Sequence, residues 1–262
     1  MMKKVAVLVA FMLLGICAAV VVQAETVRGE GRYITHTLTH LGPFHAIDVR
    51  GDAQVDIWQQ DTPGVSLSGK SNLVALADIR VENQTLLIDF KRPVHIKGAH
   101  ALHVTVAIPQ LESIVAHERA RVRVRGAFET PKISIIAAEN AYVTADSVKS
   151  DWLRLQATNK AEIDLERIQI EQLEAGLFDK AEIELSGFAQ KAQLVNNGSG
   201  DIEADSLRVT DAHAQVNATG KIELFATQSL HAQANGKGKI IYHGQPVLSK
   251  EGHLNKIQPA FD

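Results

Sequence analysis

Residues 195–224 read VNNGSGDIEADSLRVTDAHAQVNATGKIEL, and within them one short pattern is stated twice. Gly200-Asp-Ile-Glu-Ala returns as Gly220-Lys-Ile-Glu-Leu, each with an asparagine three positions before its glycine. A period near 20 combined with strand-like alternation marks a solenoid, in which each unit buries its apolar face only by stacking on the next.

Working outward, the same pattern recurs as Ala120-Arg-Val-Arg-Val, Ala141-Tyr-Val-Thr-Ala, Ala161-Glu-Ile-Asp-Leu, Ala181-Glu-Ile-Glu-Leu and Gly238-Lys-Ile-Ile-Tyr. The successive steps are 21, 20, 20, 19, 20 and 18. Because strand side chains alternate, the second and fourth residues after the small one share a face, and they are apolar in every unit. A second inward set lies four and six residues before the small residue (Ile135 and Ala137, Leu155 and Ala157, Leu194 and Asn196). A third lies seven residues after it (Val148, Ile168, Phe188, Leu207). Three apolar stretches per coil imply a three-sided coil. About seven coils at a strand spacing of ~4.8 Å would rise roughly 30 Å. Such a core is narrow and aliphatic, so ligands belong on its outer faces.

Upstream, Phe44 to Val49, Ala53 to Ile57, Val65 to Ser68, Leu86 to Phe90 and Leu102 to Ile108 alternate as short strands between turn signals. Helical periodicity is confined to one turn near Leu73 to Ala77. Residues 25–41 read as a lead-in strand or cap.

Residues 1–24 stand apart. Lys3 and Lys4 precede an almost wholly apolar run, Val5 to Val22, and Val22-Gln23-Ala24 offers a small-residue cleavage site. This reads as a secretory signal peptide, with the mature chain beginning near Glu25. The alternative is an uncleaved anchor, since a run of about 18 residues is at the short edge of a membrane span. Ile16 before Cys17 is bulky where a lipidated cysteine wants a small neighbour, so lipidation is not expected. Cleavage removes the only cysteine, excluding disulfides and thiolate chemistry from the mature chain. Loss of the two lysines takes the net charge from −3 to −5. That balance gives no electrostatic reason to expect a nucleic-acid partner. The expected organisation is a leader over 1–24, a solenoid over 25–252 and a tail over 253–262.

Several of these segments resemble a known family. Phe44-His-Ala-Ile-Asp-Val-Arg-Gly51, Ala53-Gln-Val-Asp-Ile57, Val65 to Gly69 and above all Asn197-Gly-Ser-Gly-Asp-Ile202 are similar in order and spacing to the GIN-domain (DUF2807) family of exported bacterial proteins, catalogued as heads of autotransporter adhesins. The resemblance covers roughly residues 43–243. It implies an all-β fold, a right-handed single-stranded parallel β-helix (β-solenoid), and it brings no catalytic residues to transfer.

Two outward constellations could carry chemistry. Glu162, Asp164, Glu182, Glu184, Asp201 and Glu203 take outward positions in three consecutive coils, so their carboxylates should stack in two columns. Like charges about 5 Å apart repel by on the order of 1 kcal/mol even in water, which a bound Ca²⁺ or cationic partner would relieve. The competing reading is a solvated acidic face beside Lys160 and Lys180. Arg119, Arg121, Arg123 and Arg125 form a basic set that could hold acidic glycans or lipopolysaccharide phosphates. Pairing with nearby acids is the competing reading there.

Other features point to scaffold. Asn197, Asn217 and Asn235 should stack as a corner ladder, with a side chain that tolerates left-handed turns. His95, His100 and His103 lack zinc-site spacing and read as surface residues. No G-x-S-x-G elbow occurs, and the glycine-rich turns precede strands, so they lack the helix N-terminus of a phosphate loop.

The sequence therefore predicts no cofactor and a non-enzymatic module for adhesion, glycan or protein binding or envelope scaffolding. Its location would be the periplasm, the outer-membrane surface or the exterior. The alternative is a polysaccharide-active lyase or hydrolase using the acidic face.

Overall fold

A computed structural model of the chain describes residues 24–97 and 102–260. The expected leader, apart from Ala24, and His100 therefore lie outside the described residues.

The N-terminal third contains strands β1 (Glu25–Arg28), β2 (Tyr33–Leu38), β3 (Ala46–Val49), β4 (Ala53–Gln59) and β5 (Gly64–Lys70). Helix α1 (Ser71–Leu76) follows, where the sequence predicts a helical turn, and it buries Leu73 completely. Strands β6 (Ala77–Glu82), β7 (Thr85–Phe90), β8 (Val94–Lys97) and β9 (Leu102–Ile108) complete this part.

The repeats begin with β10 (Ser113–Ala116), β11 (Arg121–Glu129) and β12 (Lys132–Ala137). Five long strands carry them on: β13 (Tyr142–Ala157), β14 (Glu162–Leu177), β15 (Glu182–Asn196), β16 (Asp201–Val216) and β17 (Lys221–Ala234). Strands β18 (Lys239–His243), β19 (Val247–Gly252) and β20 (Ile257–Pro259) close the chain.

Consecutive long strands pair in parallel along their whole length, Glu162 beside Glu182 and Glu174 beside Gln193 for example, so each is one coil of a β-solenoid. The first residues of each strand form a front sheet. The last six form a back sheet, and the bent middle forms a short third side. The inward columns are those the alternation predicts. Val122, Val143, Ile163, Ile183, Ile202, Ile222 and Ile240 line the front of the core, and Ile135, Leu155, Ala175, Leu194, Ala214 and Ala232 line its back, all essentially inaccessible. Each buried branched side chain contributes about 1.5–3 kcal/mol relative to exposure, so the stack stabilises itself without disulfides.

The third column departs from expectation at one residue. Phe188 is 43% exposed. Its coil is one residue short, so Gly187 stands opposite Ile168 and Leu207 and turns Phe188 outward. Gly187 has φ +126°, a conformation L side chains rarely adopt, which explains the glycine.

Stacking order and chain order part company at the N-terminal end. Strand β3 lies between β7 and β10, and β4 lies between β9 and β11. Strands β7 and β9 thus belong to the outermost rung, residues 46–59 form the second and 113–129 the third. The chain must climb past a rung between β9 and β10, and the Gln59 side chain fastens that passage. Its amide donates to the carbonyls of Pro109 (2.9 Å) and Glu129 (2.8 Å), and its oxygen accepts from the Glu129 N–H (2.8 Å).

The outermost rung does not end in bare parallel edges. Strand β5 pairs antiparallel with β9, β2 with β5, and β6 with β7, while β1 and β8 form a separate two-stranded sheet. At the other end, the segment expected as a tail over 253–262 adds a rung: β20 pairs with β18 and buries Ile257. The inward position of β19 beside Ala232 is taken by Lys250, whose Nζ donates to the Ile257 carbonyl (2.9 Å). An inward charge of this kind discourages another strand from adding to the edge.

Candidate binding surfaces of the solenoid

On the front sheet the outward positions stack as the alternation requires. Glu162 lies beside Glu182, and Asp164, Glu184, Glu203 and Glu223 follow one another rung by rung. Glu223 extends the predicted column by one carboxylate. The two halves of the strip differ in their counter-charges. Lys221 Nζ lies 3.1 Å from Glu203 and 3.0 Å from Glu223, and its backbone N–H donates to Asp201 (2.9 Å). The Lys221 hydrogen bond holds the Glu223 carboxyl below its ordinary value. By contrast, Glu162, Asp164, Glu182 and Glu184 make no ion pair within 4.0 Å among the described residues.

Partial burial raises the carboxyls of Asp164 and Glu184 above their ordinary values, and neighbouring carboxylates add to the effect. For Asp164 the neighbour is Glu166, opposed by the Tyr142 hydroxyl and Arg123. For Glu184 they are Asp164, Glu203 and Asp205. No group of three or more His, Cys, Asp or Glu is gathered to hold a metal ion among the described residues.

The sign of these shifts gives a test. A carboxyl raised in the folded state contributes stability that is complete below its unfolded value and is lost as pH rises through the folded value. Glu184→Gln should therefore stabilise the fold near neutrality, by roughly 0.5 kcal/mol for relief of cross-strand repulsion, or about 1–2 °C in melting temperature. The gain should vanish below about pH 4, where both forms are neutral. Circular-dichroism melts at both pH values check this; an equal gain in acid, or a loss at neutrality, would contradict it.

The four arginines do not act alike. They run along β11 and its leading corner as a row across the sheet. Arg119 pairs with Asp52 (2.8 Å) and also contacts His95, and Arg125 pairs with Asp56 (2.7 Å). Arg123 reaches only a 4.0 Å contact with Asp146. Arg121 has no carboxylate within 4.0 Å among the described residues. A notch of about 290 Å³ opens over this part of the sheet, lined among others by Gln54, His103, Arg121, Arg123, Tyr142 and Thr144.

The asparagine ladder is present. Asn217 Nδ2 donates to Asn197 Oδ1 (2.7 Å), and Asn235 Nδ2 donates to Asn217 Oδ1 (2.8 Å). Its members are not left-handed. Positive φ occurs instead at Glu118, Glu139, Asn159 and Asp179, in the corners that end in alanine. Two kinds of corner therefore share one core register.

A further groove is on the back sheet, away from both charged constellations. About 540 Å³ in volume, it crosses five rungs, from Gln172 on β14 to Ser249 on β19. Outward side chains stack along it as Glu174, Gln193, His213 and His231, with Gln172, Lys191, Asp211 and Ser229 in a second column, while Leu173, Ala192, Ala212 and Leu230 between them face the core. The two imidazoles are stacked with centroids 4.9 Å apart. Burial, then the His231 neighbour, lowers the His213 imidazole below its ordinary value. A second hollow of about 210 Å³ shares Glu174 and Gln193 and continues the groove toward Arg154 and Phe178. Charge alone does not point to this face. Its signal in the sequence is weaker: the residues alternating with the second inward set are these outward ones.

The geometry defines a class, a β-solenoid with capped ends. A family profile described as "Putative auto-transporter adhesin, head GIN domain" matches residues 43–246, and the chain belongs to this family. Among solved structures, the chain is similar to a "Putative lipid binding protein" from Parabacteroides distasonis, with TM-score 0.82 and 23% identity over 90% of this chain and 100% of that one. It is also similar to a "putative adhesin" from Parabacteroides merdae, with TM-score 0.81 and 21% identity over 91% of this chain and 100% of that one. A second adhesin-described structure from P. distasonis aligns at TM-score 0.78 and 22% identity over 90% of this chain and 100% of that one. At these identities the likeness establishes the fold. No curated protein matches the sequence. No helix among the described residues is long and apolar enough to cross a membrane.

Proposed function

We propose that the protein is a non-enzymatic, exported binding module of the adhesin-head type, and that an extended glycan lies along its back-sheet groove. The observation that carries this reading is the groove itself, which crosses five rungs and presents hydrogen-bonding side chains at a repeat of one strand spacing. A solenoid repeats its donors and acceptors at equal steps, which suits a polymer that repeats its hydroxyls. The adhesin descriptions of the family and of two fold neighbours support a role in attachment. The leader-like run over 1–24 supports export.

The test is retention of glycans and envelope extracts by the mature chain. Replacing Glu174, Gln193 and His213 together with alanine should weaken retention by on the order of tenfold, about 1.4 kcal/mol. Glu182→Gln with Glu184→Gln, on the front sheet, should leave it unchanged. Equal retention by the back-sheet variant would remove the groove from the reading. Release of oligosaccharides from an acidic polysaccharide, abolished by the front-sheet pair, would replace binding by catalysis.

A further inference from the structure

We infer a second binding site, independent of the back groove, in which Arg121 and Arg123 take an oxyanion of an acidic glycan at the N-terminal end of the front sheet. Four arginines lie close together in sequence here, and the structure spends only two of them on the scaffold. Arg119 and Arg125 are held by Asp52 and Asp56 at 2.8 and 2.7 Å. Arg121 and Arg123 occupy successive outward positions of β11, about 6.6 Å apart along the strand, and point away from the core. Their nearest carboxylate contact among the described residues is the 4.0 Å approach of Arg123 to Asp146. On the next rung stand Tyr142 and Thr144, in register with Arg121 and Arg123. That uncharged rung keeps the acidic columns, which begin at Glu162 and Asp164, about two strand spacings or ~9.6 Å away. Across that gap Arg123 still favours the Asp164 carboxylate, but it makes no ion pair with it.

The surroundings fit a sugar better than a bare ion. The notch above the two guanidinium groups is about 290 Å³ in volume and is also lined by Gln54, His103, Tyr142 and Thr144, groups that match hydroxyls. Its one carboxylate, Asp56, is already engaged by Arg125. Trp58 stands beside Arg125 in register and is 42% exposed, so an indole face lies at one end of the arginine row. From Trp58 to Gln54, which lies beside Arg121, is roughly 13 Å of strand. One sugar ring stacks on the indole while the oxyanion of a neighbouring ring accepts the forked N–H donors of Arg121 and Arg123. A uronate carboxylate, a sulfate ester and a sugar phosphate all present that chemistry.

The experiment measures affinity of the mature chain for polygalacturonate, dextran sulfate and a phosphorylated mannan, with neutral dextran as reference. At least one acidic polymer should bind tenfold or more tightly than dextran, and the preferred polymer names the oxyanion. Arg121→Gln with Arg123→Gln should lose about tenfold and flatten the salt dependence. Trp58→Ala should lose several-fold with the salt dependence kept. Lys237→Gln with Lys239→Gln, which removes the same charge from the far end, should change nothing. Circular dichroism confirms that each variant is folded. No preference over dextran, or equal loss in the arginine and lysine variants, would overturn the site. So would preferential binding to anionic phospholipid vesicles insensitive to Trp58→Ala.

Discussion

Gly200→Ala is expected to destabilise the solenoid by about 3 kcal/mol or more, a fall of roughly 6–12 °C in melting temperature for a chain of this size. The residue lies at the end of the NGSG corner, and a Cβ built there would run into the Ala181 carbonyl oxygen and lie 2.9 Å from its carbon. These are backbone atoms of the rung beneath, so neither a rotamer change nor a local shift of one side chain relieves the clash. Gly220 and Gly238 face the same obstacle, the carbonyls of Gly200 and Gly220 in turn. The glycine corners are thus a stack in which each backbone rests directly on the last. The N–H groups of Gly220 and Gly238 donate to the Gly198 and Ala218 carbonyls at 3.0 and 2.9 Å. The alanine corners solve the same problem differently, by taking one residue through positive φ, which leaves room for the buried methyl groups of Ala141, Ala161 and Ala181. Ala161→Gly should therefore cost no more than about 1 kcal/mol. Thermal and denaturant unfolding of the two variants decide the matter: a Gly200→Ala protein that melts within about 1–2 °C of the wild type, below ~1 kcal/mol, would show that the rungs can slide apart at this corner.

That contrast also shows where the sequence is legible. The core columns are readable because alternation and a regular step between coils follow from strand geometry alone, and a small residue at the corner marks the register. Whether that residue is alanine or glycine carries a second message, the type of corner, which periodicity does not report. Phe188 reads as inward for a related reason: a one-residue deletion at a bend reverses a side chain without disturbing the repeat count, and only Gly187 hints at it. The interleaving of β3 and β4 between later strands is out of reach. Parallel pairing joins Ile47 to Leu86 on one side and to Ile114 on the other, both far along the chain, and nothing local encodes that choice. The candidate sites follow the same division. The stacked carboxylates and the asparagine ladder come from the repeat and are visible in it. The sorting of four equally spaced arginines into bound and unbound pairs depends on Asp52 and Asp56, which β4 and its leading turn bring from far upstream.

Asn196→Val is the second substitution expected to be severe, although it fills an inward position with the residue type its column favours. Asn196 is fully buried, in the place taken by Ala157 and Leu177 in earlier coils and Val216 in the next. Its amide donates to the carbonyls of Gly200 (2.7 Å) and Lys221 (3.0 Å), and its oxygen accepts the Gly198 N–H (2.9 Å). It therefore braces the first glycine corner and ties it to the coil above, at the level where corners change from the alanine to the glycine kind. Valine would gain about 1 kcal/mol or more from its buried methyl groups. Against that, it would leave a buried N–H and two carbonyls short of partners at about 1–3 kcal/mol each. The net expectation is a loss of about 2 kcal/mol or more, together with faster hydrogen exchange at Gly198 than at the ladder corners above it. Asn217→Ala removes three side-chain hydrogen bonds of similar length, with Asn197, Asn235 and Gln215, but they lie at the surface, where water replaces them, so its cost should stay below about 1 kcal/mol. If Asn196→Val instead raised the melting temperature, the corner would be held by glycine geometry alone and the buried amide would be dispensable. If Asn217→Ala proved the more damaging of the two, the exposed ladder would be the brace. Burial is what separates the two asparagines: both repeat the same chemistry, and only the one out of reach of water cannot exchange its partners for solvent.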